Sequence, residues 1–348
     1  MNILLFKIGA LGDLLMTTPL VRQLRGRFPD ARIDYLTGRS FTRILEGNPY
    51  LDGIVTFPEE IFFRRNMSGF AGLVRKIRRA RYDGIFVLDR HWTFSLSAFL
   101  FGIGRRIGFD RMGREGILLT DRVRFDAVRH EVHYYLDLMG KVAEPDYTDV
   151  SMDFFPDSGD TDFADRFYSV HALEGKQVVC LAPGGGVNPG QDMAVKRWPA
   201  ERYAELSRLL LDGGFSVVLV GGETDRMFGE QIRSLVEVPS GIGATLGGSA
   251  SLMRKAFAVV ASDGGPMHLA ASMSDRVISL FGPTDPRRLA PLNGYRYLWK
   301  PGDCGPCYDI YGRISVRENK CICMEAISAK EAMEVVSDLA ENRGCEER

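Results

Sequence analysis

Lys7-Ile-Gly-Ala-Leu-Gly-Asp13 places a lysine, two glycines and a carboxylate where an apolar run should turn into a helix. Gly9 and Gly12 let the backbone turn tightly and approach a ligand with no Cβ in the way, and the following helix start offers unpaired N–H groups. Asp13 has two readings. It can cap the helix, or it can act as a general base, taking the proton from a hydroxyl that attacks a sugar's anomeric carbon. The spacing matches neither G-x-G-x-x-G nor the P-loop. A second stretch runs Ala182-Pro-Gly-Gly-Gly186, Asn188-Pro-Gly190 and Lys196-Arg-Trp-Pro199. Gly184, Gly185 and Gly186 cost chain entropy, which favours a loop kept for close backbone approach to a ligand. Lys196 or Arg197 either neutralises a diphosphate there or is a solvated charge ahead of a helix. The third stretch is Ser262-Asp-Gly-Gly-Pro-Met-His268. Gly264 and Gly265 open a turn, and Pro266 suits the first position of a helix carrying His268, so the turn reads as an anion cradle. Asp263 binds a hydroxyl or caps that helix, and His268 is a ligand contact or a satisfied core residue. In Gly221-Gly-Glu-Thr-Asp225, Glu223 or Asp225 can accept from ribose hydroxyls, or either is an ordinary first-turn acid.

Four of the six cysteines fall at Cys304, Cys307, Cys321 and Cys323. They fit a structural four-thiolate zinc site, although C-x-C replaces the usual C-x-x-C in the second pair; reduced thiols packing a loop are the alternative. Cys180 lies in an apolar strand and reads as core. On the first half of the chain, basic and aromatic residues from Phe62 to Arg79, His91-Trp92 and Arg105-Arg106 suit a phosphorylated or acidic glycolipid, although Leu73 to Arg79 reads rather as a solvated helix face.

These residues need elements to hold them. Apolar, β-branched runs at Ile3–Phe6, Arg32–Leu36, Gly53–Phe57 and Gly84–Leu88 alternate with helical stretches, and the pattern restarts with Gln177–Ala182, Ser216–Val220, Ala256–Ala261 and Arg276–Phe281. Such alternation builds parallel sheets covered by helices. Turn formers between Phe154 and Asp162 mark a linker. Helices are expected from Ala200 to Leu211 and, opened by the capping box Ser328-Ala-Lys-Glu331, through Leu339. The strand-end loops of two such domains should face a common cleft. At 348 residues, 45% apolar and 26% charged, the chain is long enough for two cores. Its 44 basic residues against 45 acidic ones give no global field for nucleic acid. The amino terminus lacks a signal-peptide layout and no apolar run is long enough to span a bilayer, so membrane contact would be peripheral.

In order and placement, Lys7-Ile-Gly-Ala-Leu-Gly-Asp13, Lys196-Arg-Trp-Pro199, Asp263-Gly-Gly-Pro-Met-His268 and Phe281-Gly-Pro-Thr-Asp-Pro286 resemble the ADP-heptose:lipopolysaccharide heptosyltransferase family, glycosyltransferase family 9. The resemblance implies an α/β fold of GT-B type, with two Rossmann-like domains facing a central cleft. An acceptor-binding domain would span residues 1–165 and a nucleotide-sugar-binding domain residues 166–348, the last helix packing back on the first domain. It implies an inverting transfer that needs no metal, moving heptose from ADP-heptose to a lipopolysaccharide or related surface glycan at the cytoplasmic face of the inner membrane. Asp13 would activate the acceptor and Lys196 would meet the donor diphosphate. Gly184, Gly185, Gly186, Asp263, Gly264, Gly265 and His268 would surround the donor, with Glu223 or Asp225 near the ribose. Gly12, His91 and Arg105 would face the acceptor. Gly264 departs from the family's usual Thr or Ser and removes a hydroxyl. Three rivals stand beside this reading. A nicotinamide oxidoreductase lacks its glycine fingerprint, a nucleotide-sugar 2-epimerase shares the architecture, and a non-catalytic sugar-binding homologue would not need both Asp13 and Lys196.

Overall fold

A computed structural model describes the chain apart from residues 64–65, 112, 186, 189–190, 295, 303–304, 308–321 and 347–348, and apart from the side chains of 187–188, 191–192 and 342–346. Two compact units divide between Phe155 and Pro156, ahead of the boundary expected after residue 165.

The first unit is built on β1 (Asn2–Phe6), β2 (Arg32–Gly38), β3 (Gly53–Phe57), β4 (Gly84–Val87), β5 (Arg105–Asp110) and β6 (Asp121–Arg124), all parallel in the order β3-β2-β1-β4-β5-β6. The second repeats the plan with β7 (Val178–Ala182), β8 (Ser216–Gly221), β9 (Ser240–Ile242), β10 (Ala258–Ser262), β11 (Val277–Phe281) and β12 (Arg296–Trp299), in the order β9-β8-β7-β10-β11-β12. Helices on both faces force parallel central strands to be apolar throughout. Every residue of β7, β10 and β11 is accordingly buried, as are Ile3 to Phe6 of β1. In each sheet the strand order reverses beside the first strand. Such a switch point leaves a crevice at the carboxyl ends of the two strands flanking it, here β1 with β4 and β7 with β10.

The expected linker is partly a helix, Ser158–Val170. Its turn formers are the cap: Asp157 accepts from the Asp160 N–H, and the Asp160 carboxylate accepts from the Asp157 N–H. Farther on, Asp160 accepts from the Thr245 hydroxyl at 2.7 Å, tying the helix to the second unit. The last helix, Ala329–Glu346, buries Ala329, Ala332, Val336 and Leu339 in that unit's own core against the Ala200–Asp212 helix.

Candidate active site

Phe6 ends the buried part of β1, and the next residue is a lysine that stays inside. The Lys7 ammonium lies 3.1 Å from Asp89 Oδ1, 3.5 Å from Asp13 Oδ2 and 5.6 Å from the centre of the Tyr135 ring. Burial alone would lower its pKa, but the facing acids, Asp89 ahead of Tyr135 and Asp13, more than offset this and raise it well above the ordinary lysine value. Asp89 also accepts from the Ile8 N–H at 2.7 Å, so one carboxylate fixes both the lysine and the turn after it. Gly9 is required by sterics, because a Cβ there would lie 2.1 Å from the Phe41 ring. Ala10 takes φ 52°, a left-handed conformation that costs a non-glycine residue energy and is often kept where function demands it. The short helix Leu11–Leu15 then starts, with Ala10 at its cap position and no side-chain cap bond. Asp13 is therefore not the cap. It stands in the first turn, 47% exposed, with only one face against Lys7. Gly12 is buried beside it.

Behind Asp89 the adjacent Arg90 pairs with Glu131 and stacks 3.7 Å from the Phe125 ring centre. Burial opposes its charge, yet Glu131 and Tyr135 raise its pKa above the usual guanidinium value. His91 follows as the cap of the Trp92–Leu100 helix, its Nδ1 accepting from the Thr93 N–H at 3.4 Å. Asp13, Asp89 and His91 thus share the carboxyl edge of β1 and β4. Arg105 does not join them. It opens β5 at the amino edge of the sheet, where Asp121 and the Lys141 carbonyl take its guanidinium.

In the second unit the loop after β7 is shaped by an acid. A Cβ on Gly184 would fall 2.1 Å from the Asp225 carboxyl carbon, and Gly185 has φ +114°. Asp225 accepts from the Gly222 N–H at 2.9 Å and from the Gly185 N–H, while Arg197 donates to the Gly185 carbonyl at 3.1 Å. Burial raises the Asp225 pKa despite these bonds. Its geometry is that of a clamp holding two loops. Glu223 is exposed and forks onto Arg226 at 2.6 Å through both oxygens. Gly186 lies outside the described residues.

Lys196 reaches Asp263 at 2.8 Å, and the Thr284 hydroxyl donates to the same carboxylate oxygen at 2.5 Å. Burial would raise the Asp263 pKa, but Lys196, Thr284 and nearby His268 hold it below the ordinary carboxylate range. Ser262 anchors the strand end by meeting the Tyr203 hydroxyl at 2.9 Å and accepting from the Trp198 N–H at 3.4 Å. Gly264 precedes the helix Gly265–Ala271, which carries buried His268, and Pro266 packs against Gly185. The glycine loop, Lys196 and the Asp263 turn therefore meet at the β7/β10 switch point. The geometry can hold an ammonium rigidly beside backbone N–H groups at that strand end.

Cys307 and Cys323 are buried, and Cys304 and Cys321 lie outside the described residues. Among the described residues no His, Cys, Asp and Glu group is placed to hold a metal. Cys180 is core, its thiol pushed up to about 12 by burial. Asp89, Tyr135 and Arg90 were absent from the sequence-derived site, although Asp89 follows a strand end as directly as Asp13 does.

The profile of glycosyltransferase family 9 (heptosyltransferase) matches residues 70–310. Lipopolysaccharide heptosyltransferase 2 of Escherichia coli is 27% identical over 319 residues, covering 84% of this chain and 86% of the relative. Lipooligosaccharide heptosyltransferase 2 of Haemophilus ducreyi is 26% identical over 311 residues with the same coverage. The solved structure of the Escherichia coli ADP-heptose lps heptosyltransferase II superposes with a TM-score of 0.76 at 22% identity, covering 99% of this chain and 100% of that one, which establishes the GT-B fold. With the profile spanning most of the chain and two acid–lysine clusters at the switch points of its sheets, the protein belongs to glycosyltransferase family 9 and is a glycosyltransferase.

Proposed function

We propose that this enzyme transfers heptose from ADP-heptose to a lipopolysaccharide or related surface-glycan acceptor, by direct displacement and without a divalent metal. The donor and acceptor classes follow the names of the relatives, lipopolysaccharide and lipooligosaccharide heptosyltransferases. The single observation that carries the mechanism is the half-exposed Asp13 carboxylate fixed on one side by Lys7 at the β1/β4 switch point. Its other face is free to accept the proton of an acceptor hydroxyl as that oxygen bonds to the anomeric carbon. The bond from that carbon to the diphosphate breaks as the new one forms, so the anomeric configuration inverts. Charge growing on the departing nucleotide falls on Lys196, which Asp263 holds in place. Gly12 and His91 line the acceptor side; Arg105, at the far edge of its sheet, is left out of it. Family membership disfavours the 2-epimerase and non-catalytic alternatives. Unfinished lipid-linked glycan and nucleotide-sugar meet at the cytoplasmic face of the inner membrane, which is where we place the reaction.

Asp13→Asn tests this. The amide keeps the shape but cannot take the proton, so transfer should fall at least ~100-fold while melting temperature and ADP affinity stay at wild type. NMR of the wild-type product should show the inverted anomer, and EDTA should leave the rate unchanged. Near wild-type transfer by a normally folded Asp13→Asn protein would end the mechanism.

A further inference from the structure

The helix Met67–Ala80 contains no acid, and Arg75, Lys76, Arg78, Arg79 and the following Arg81 are all exposed. Its buried face is narrow, with Leu73 and Ile77 in the first unit's core and Phe70 and Val74 packed at the margin. Several arginines elsewhere in this unit are matched to acids: Arg22 to Asp149 and Asp153, Arg105 to Asp121, Arg111 to Glu115. Here Arg78 donates to the Leu100 carbonyl at 3.0 Å, and among the described residues none of the five cations has an acidic partner within ion-pair distance. Like charges spaced three and four residues apart repel one another, so the cluster is a local cost that an anionic surface would relieve. The chain's net charge is only −1, so no global excess of bases explains it.

The stripe is more than charge. Met67, Ala71, Arg75 and Arg78 recur at the spacing that puts them on one side of a helix. Met67 is 73% exposed, and Phe63, just before the helix, is 63% exposed. Between Ala71, Val74 and the arginines lies an open concavity of about 520 Å³, roomy enough for a phosphate-bearing headgroup. An apolar tip followed by long cationic side chains is the pattern of a helix lying in a bilayer interface, with stems against acyl chains and charges at phosphate level.

We propose that this helix docks the N-terminal unit on a bilayer bearing anionic headgroups. The choice of a lipid surface over other polyanions rests on the lipid-linked acceptor proposed above; the charge pattern does not. Co-sedimentation of the full chain, without donor or acceptor, compares vesicles of phosphatidylcholine alone with vesicles of phosphatidylcholine and phosphatidylglycerol. Binding should appear only with the mixed vesicles and fade as salt shortens the screening length. R75A/R79A removes two surface charges and should weaken partition roughly 30-fold. R75K/R79K should keep it, because a headgroup surface reads charge where a built pocket would read the guanidinium fork. Both variants should melt normally. Equal binding to the neutral vesicles, undiminished binding by R75A/R79A, or loss in R75K/R79K would each overturn the proposal. Since the assay involves no turnover, a negative result beside an inactive Asp13→Asn enzyme would remove the docking face and leave the transferase reading intact.

Discussion

Lys7 is a buried cation with two carboxylates, and their unequal exposure assigns them different work. Asp89 faces inward and holds both the ammonium and the Ile8 N–H; Asp13 is open to solvent on the side away from Lys7. Asp89 is therefore a positioning residue. Asp89→Asn keeps an acceptor for Ile8 but leaves the ammonium to Asp13, drawing the proposed base out of line. We expect a loss of about 2 kcal/mol in stability, below the usual range for an orphaned buried charge because Asp13 remains as a partner. Misplacement of the base should lower kcat about tenfold or more with ADP affinity unchanged. The sign of the pH dependence follows from the raised Lys7 pKa. Its contribution is complete below the unfolded value of about 10.4 and is lost only as pH climbs through the higher folded one. The stability difference between variant and wild type, measured by denaturant titration, should then be flat from neutral pH into the mildly alkaline range. A variant of undiminished stability and kcat would show that Asp89 positions nothing. In the sequence, Asp13 and Asp263 stood out because each comes after a strand and beside a glycine, and Lys196 through the stretch Lys196-Arg-Trp-Pro199. Tyr135 and Glu131 were not, because they arrive from a helix more than a hundred residues away from Lys7 and carry no local signal.

The elements divide along the same line. Eight strands were legible because strands buried on both faces must be unbroken apolar runs, as β1, β7, β10 and β11 are. β5 and β6 escaped notice because Arg105, Arg106, Asp121, Arg122 and Arg124 interrupt the pattern. Next to the sheet edge and on it, such residues can reach solvent or partners. The segment after β2 is a 3-10 stretch, Arg39–Ile44, and the Ser158–Val170 helix hid behind its own capping acids. The final helix was legible from its cap alone. Ser328 N–H donates to Glu331 at 3.0 Å, and the Glu331 N–H donates to the Ser328 hydroxyl at 3.3 Å. The Lys300 ammonium and then Ser328 hold the Glu331 carboxyl down at about 2, so its stabilisation is present above the ordinary 4.5 and is lost as pH falls toward 2. Glu331→Gln should cost about 1 kcal/mol at neutral pH and progressively less below pH 4.5. Thermal melts across that range check it, and a cost independent of pH would mean the carboxylate charge is not what matters.

At the scale of the whole chain, each sheet has its own buried core. One gathers Leu4, Phe6, Ile85 and Phe101; the other gathers Val179, Leu181, Trp198, Leu219 and Val260. A unit with its own core can fold by itself. The position of the boundary then has measurable consequences, because the Ser158–Val170 helix belongs to the second unit although the sequence placed the division after residue 165. A fragment of residues 156–348 retains the Asp157 cap, the bond from Thr245 to Asp160 and the pair between Lys255 and Asp165. One of residues 166–348 cuts the helix in the middle, deletes all three, and uncovers the face of the Leu246–Lys255 helix that it packs against. We expect the longer fragment to melt cooperatively and to bind ADP within a few-fold of the full chain, since Lys196, Asp263 and the glycine loop all lie inside it. It should transfer nothing, because Asp13 is absent. The shorter fragment should lose about 3 kcal/mol or fail to fold, as expected for large-to-small loss across a packed helix face. Calorimetry with nucleotide titration separates the cases. Equal stability of the two fragments would put the boundary back at residue 165, and a longer fragment that folds but ignores ADP would take Lys196 and its crevice out of the donor site.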